Sequence, residues 1–95
     1  MNVETKQPQS LIRCDEVYNN GISYKFSLLE DHKLGSEYPL YTVTIEMRGE
    51  DGVTTAATAK NVFEGTSRAI SFYEKMVRNL ATPIDLAYAV EDETE

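Results

Sequence analysis

The chain has one cysteine and one histidine among 95 residues, and only nine lysines and arginines against sixteen aspartates and glutamates. A single cysteine, Cys14, excludes an internal disulfide and fits a reducing compartment. The single histidine, His32, lies between Asp31 and Lys33. Sequence neighbours alone do not make a metal or catalytic set, so His32 reads as an exposed loop residue. The net charge of −7 argues against nucleic acid as a partner, because phosphates are neutralised by Lys and Arg. No apolar run approaches the roughly 18 residues that cross a bilayer. Residues 1–10 carry no apolar segment of the kind that directs secretion. The expectation is a cytoplasmic protein with no membrane partner.

Motifs that carry chemistry are equally sparse. Glu91, Asp92, Glu93 and Glu95 cluster without the alternating oxygen ligands and central glycine of a calcium loop. Gly49 and Gly52 belong to a hairpin turn, not to a phosphate-binding loop, and no serine occupies a nucleophile elbow. The sequence therefore predicts no catalytic residue, no cofactor and no metal, and a protein that is not an enzyme.

What is present is the patterning of one folded domain. Hydrophobic residues make up 41% and charged residues 26%, which is an ordinary globular balance. Residues 1–10 read as a disordered lead, 11–92 as a single domain, and 93–95 as an acidic frayed tail.

Two alternating apolar runs adjoin glycine-ended loops. Asn19, Asn20 and Gly21 precede the run at 22–28, and Glu50, Asp51 and Gly52 follow the run at 41–47. A three-residue first loop places Glu16 opposite Tyr24, Cys14 opposite Phe26 and Ile12 opposite Leu28. One face is then almost wholly apolar, and Cys14 is buried and inert. A two-residue loop instead sets Asp15 opposite Phe26 and Arg13 opposite Leu28. Burial favours the three-residue register. In the second hairpin a three-residue loop places Met47 opposite Thr55, Ile45 opposite Ala57 and Val43 opposite Ala59. The inward side of that last strand is small (Val53, Thr55, Ala57, Ala59), as if a helix packs closely over it; a short, poorly formed strand is the alternative. Residues 30–39 form a long polar connector.

Beyond Asn61 the period changes to 3.6. Ala69, Ile70, Phe72, Tyr73, Met76, Val77 and Leu80 share one helical face. Thr66 is the expected N-cap, and Glu74 and Arg78 form an i, i+4 pair. The opposite face carries Arg68, Lys75 and Arg78, a mildly basic candidate interaction surface for an acidic partner or for the protein's own acidic tail. Thr82, Pro83 and Asp85 then announce a second helix, with fraying expected near Glu91, where negative charge meets the wrong end of the dipole. A strand over residues 84–90 is the competing assignment.

Asn61-Val62-Phe63, the amphipathic run at 67–79, Thr82-Pro83-Ile84-Asp85-Leu86 and Val90-Glu91-Asp92 resemble a small bacterial family of unknown function, common in anaerobic Gram-positive bacteria. The hairpin containing Tyr24 and the strand with Tyr41-Thr42-Val43 fit it as well. The resemblance implies a compact cytosolic domain and brings no activity, cofactor or catalytic residue with it.

The fold expected is α+β, a four-stranded antiparallel meander with two C-terminal helices on one face. The other face would present Lys25, Ser27, Thr42, Thr44, Glu46, Thr54 and Thr58. The first and last strands would be edges, which invite pairing with another chain. The function expected is a non-enzymatic protein-binding or regulatory module, acting on a protein partner or self-associating as a homodimer through a sheet edge or the open face. One alternative is a single-stranded nucleic-acid-binding sheet using Tyr24, Phe26 and Tyr41, which needs those aromatics exposed. The other is a small enzyme using the 30–39 loop.

Overall fold

The computed structural model describes residues 9–31 and 40–94. Four strands, β1 (Gln9–Asn19), β2 (Ile22–Asp31), β3 (Leu40–Arg48) and β4 (Thr54–Glu64), precede two helices, α1 (Thr66–Arg78) and α2 (Pro83–Thr94). The sheet is an antiparallel meander in the order β1-β2-β3-β4, and both helices pack on it. The predicted α+β architecture is the architecture of the protein. Of the lead expected over residues 1–10, only Gln9 and Ser10 are among the described residues, and they belong to β1. Glu30 and Asp31 of the 30–39 connector end β2, and His32 with the rest of the connector up to residue 39 lies outside the described residues.

The sheet's inner face supplies Phe26, Leu28, Tyr41, Val43 and Ile45, all fully buried. Phe26 pairs with Ile45 and Leu28 with Val43, so the two central strands present a continuous apolar strip. Ala69, Phe72, Tyr73 and Met76 of α1 close over it, joined by Leu86 of α2. Each large side chain so removed from water contributes about 1.5–3 kcal/mol before conformational entropy is set against it. The predicted stripe of α1 is the stripe that packs, with Ile70, Val77 and Leu80 half-buried at its margins.

The second hairpin has the predicted register, with Met47 opposite Thr55, Ile45 opposite Ala57 and Val43 opposite Ala59. Gly52 sits at φ +85°, and its N–H donates to the Gly49 carbonyl at 3.0 Å. A type I turn closed by a left-handed glycine produces that arrangement. β4 is a full strand of 11 residues, not the short one considered as an alternative. Its small inward residues do admit the helices at Ala59, but Val53 and Thr55 are exposed.

The first hairpin departs from expectation. Asn19 pairs with Ile22, Asp15 with Phe26 and Arg13 with Leu28. The loop has two residues, Asn20 at φ +53° and Gly21 at φ +79°. Two positive φ values define a type I′ turn, whose twist matches that of paired strands; Asn-Gly is its preferred sequence. Local turn chemistry overrides the apolar match because β1 is an edge. Its helix-facing side meets the rim of α1, and its charged side chains there reach water. Cys14 is consequently not buried opposite Phe26. It lies opposite Ser27 on the outer face, exposed.

Of the two helices, α2 has a side-chain N-cap and α1 does not. Thr66 begins α1 but does not cap it; Gly65 occupies the N-cap without a side-chain bond. The Thr66 hydroxyl instead meets the Tyr41 hydroxyl at 2.6 Å. α1 closes with Ala81 N–H bonding the Met76 carbonyl and Leu80 N–H the Val77 carbonyl, the Schellman pattern with leucine at the left-handed position, φ +49°. α2 opens as predicted. The Thr82 N–H donates to Asp85 Oδ2 at 3.0 Å, and the Asp85 N–H donates to Thr82 Oγ1 at 3.2 Å. Residues 84–90 are therefore helix, and α2 continues past Glu91 to Thr94.

Candidate functional site

Neither helix packs closely on β1. The helix-facing side of β1 therefore forms one wall of a cleft whose other wall is α1. The cleft measures about 300 Å³ and is lined by Arg13, Asp15, Tyr73, Glu74, Val77 and Arg78.

Strand alternation puts Arg13 and Asp15 on the cleft side, two residues apart. Helical spacing puts Tyr73, Val77 and, beside them, Glu74 and Arg78 on the facing wall. Two contacts bridge the walls. The Tyr73 hydroxyl donates to Asp15 Oδ2 at 2.6 Å, with the Phe26 carbonyl as a second acceptor at 3.2 Å. Arg13 pairs with Glu74 at 3.2 Å. Both partners of that ion pair are about half exposed, at 44% and 53%, so it contributes at most about 1 kcal/mol. The phenol-to-carboxylate bond is the stronger contact, because its acceptor is charged and its donor is buried. Burial of Tyr73, reinforced by the Asp15 carboxylate, raises its pKa well above the usual phenol range.

A second polar junction joins the inner sheet to the start of α1. The Tyr41 hydroxyl donates to Glu30 Oε2 at 2.8 Å and accepts from Thr66. Burial again raises the phenol pKa, partly offset by the Thr66 bond. Every described buried side-chain nitrogen and oxygen has a partner.

The outer sheet face presents Lys25, Glu46, Thr54 and Thr58 to water, as expected. Thr42 departs from that expectation. It is buried, and its hydroxyl donates to Asp31 Oδ2 at 2.7 Å. Near the hairpin turns the outer face dips into a shallow depression of about 440 Å³ that includes Tyr18, Lys25 and Arg48.

Arg68, Lys75 and Arg78 are all exposed on α1, and Arg78 reaches the cleft. Arg13 and Asp15 are the residues that the apolar-match register turned away from this side. The Asn-Gly dipeptide was the signal that places them here. Glu74, matched in sequence to Arg78, pairs instead across the cleft with Arg13. Phe26 and Tyr41 are fully buried and Tyr24 faces inward, stacked on Phe26 at 6.2 Å.

Among the described residues no three His, Cys, Asp or Glu side chains gather as a metal set. Among them, too, no helix is long and apolar enough to cross a membrane. A family model described as a family of unknown function, DUF6514, matches residues 5–95. The chain belongs to that family. DUF6514 thus includes both hairpins and both helices, so the β1–α1 cleft lies wholly within the matched span. No curated protein and no solved structure matches the chain.

Proposed function

We propose that this DUF6514 member is a non-enzymatic protein-binding module of the bacterial cytoplasm whose contact surface is the β1 edge and the adjoining cleft. One observation carries this reading. β1 exposes its free edge and its polar helix-facing side together, beside the charged rim of α1.

A two-residue hairpin loop makes Asn19 and Ile22 a hydrogen-bonded pair, so Val17 and Asp15 also direct their backbone groups to β2. Tyr18, Glu16 and Cys14 direct theirs outward. An extended segment of a partner can add to such an edge through main-chain bonds, and alternate side chains then supply specificity. Arg13, Asp15, Glu74 and Arg78 stand within reach to provide it. The cytoplasmic setting rests on the lone cysteine. Single-stranded nucleic acid is not the proposed partner, since the inner aromatics are covered and the net charge is negative.

The test is affinity capture from lysate of the source bacterium on immobilised wild-type chain, Glu16→Pro and Arg78→Glu. Proline at Glu16 removes an outward N–H and leaves the β1–β2 ladder intact. Proteins held by the wild type and lost with both variants are the expected result. Equal retention by all three chains overturns the reading.

A further inference from the structure

We infer that a second copy of this chain pairs with β1 in antiparallel register, with Cys14 on the two-fold axis; this rests on the β1 edge being the contact surface.

The two edges of the sheet are not equivalent. β4 carries a two-residue irregularity between the positions opposite Val43 and Tyr41, and α2 packs chiefly along it. β1 is regular from Arg13 to Asn19. Apart from half-buried Val17 it is exposed along this length, with Tyr18 73% accessible. Inward-pointing charges on an edge strand, here Arg13 and Asp15, repel most would-be partners.

A copy of the same strand is the exception, in one register. The outward backbone groups belong to Cys14, Glu16 and Tyr18, so the candidate two-folds are few. Centring on Glu16 or Asp15 sets two carboxylates face to face, centring on Arg13 sets two guanidiniums face to face, and centring on Val17 or Tyr18 runs the pairing into the Asn20-Gly21 turn with no opposite-charge pair. Centring on Cys14 places Arg13 opposite Asp15 of the second copy, and Asp15 opposite its Arg13. Both opposite-charge pairs lie on the helix-facing side. Directly opposed charges in an antiparallel pair stabilise when opposite and destabilise when alike. The same residues that bar other strands therefore select this one.

The geometry has a built-in reporter. Opposed residues in a hydrogen-bonded antiparallel pair have Cα atoms about 5.5 Å apart, within the span a disulfide bridges. The two Cys14 side chains share the outer face, and each is exposed in the single chain. Both copies' helices lie on the opposite side, over β2 to β4, separated by the two β1 strands.

The experiment combines sedimentation over a concentration series with copper-catalysed oxidation of the native chain. The expected result is a concentration-dependent dimer that is captured as a Cys14–Cys14 disulfide. Arg13→Asp weakens it by about tenfold or more, and adding Asp15→Arg to that variant restores it. Circular dichroism confirms that each variant is folded; if the double exchange does not fold, the wild-type cross-link decides. A monomer at the highest soluble concentration overturns the proposal, as does a dimer that fails to cross-link or a folded double exchange that fails to recover. A monomer that still captures protein through the Glu16 edge overturns self-pairing alone and leaves the binding-module reading intact.

Discussion

The Tyr73 hydroxyl donates to Asp15 at 2.6 Å, tying the core helix to an edge strand 58 residues away in sequence. This bond anchors the otherwise loosely packed side of β1. Tyr73→Phe should lower unfolding stability by about 1–2 kcal/mol, the range for a hydrogen bond to a charged acceptor whose other face is wet. Asp15→Ala should cost a similar amount. The double variant should cost less than the two combined, because both remove one interaction. Urea titration of the four chains measures the coupling, and full additivity would contradict the bond.

Alkaline pH should weaken the fold. Burial raises the pKa of Tyr73 and of Tyr41 above the ordinary phenol value. Each phenol is neutral in the folded chain at a pH where the unfolded chain has released its proton. The unfolded state then binds fewer protons, so stability is fully present below about pH 10 and falls as pH rises beyond it. Phenolate absorbance should show these two of the six tyrosines ionising late. Tyr73→Phe should flatten the alkaline loss of stability.

Gly21→Ala should destabilise the first hairpin. The residue sits at φ +79°, and an added Cβ would run into the Glu50 carboxylate of the neighbouring turn. The conformational part should be about 1 kcal/mol. Adding Glu50→Ala separates the two causes, since it relieves the collision and leaves the backbone cost. Thermal melts of the single and double variants test this, and a Gly21→Ala chain as stable as wild type would refute it.

Thr82→Ala should cost about 1 kcal/mol by removing one half of the reciprocal cap on α2. Asp85→Ala should cost about as much, and it also removes a carboxylate from the positive end of the helix dipole. Hydrogen exchange should locate the loss in the first turn of α2, with α1 unchanged.

Much of this fold is legible because its signals are local. The 3.6-residue stripe from Ala69 to Leu80 and the Thr82–Asp85 cap are each contained in one stretch of chain. The Gly52 turn likewise agrees with the apolar pattern around it, so register and burial coincide there. In the first hairpin they conflict. Apolar matching pairs Cys14 with Phe26, whereas Asn20-Gly21 pairs Asp15 with Phe26. The turn prevails because water and α1 together satisfy the charges that the match would have kept from the inner face. The cleft escaped the sequence for the same reason. Its walls come from Arg13 and Asp15 on one side and Tyr73, Glu74, Val77 and Arg78 on the other, brought together only when the helix crosses the sheet.

Alternation, helical period and capping chemistry by themselves determined four strands, two helices and which helix face is apolar, since each depends on residues a few positions apart. Tertiary structure alone decided where α1 rests on the sheet. That placement leaves β1 at the rim, where Arg13 and Asp15 can face a helix without losing their hydration, and it turns a polar flaw in an apolar pattern into the most distinctive surface of the molecule.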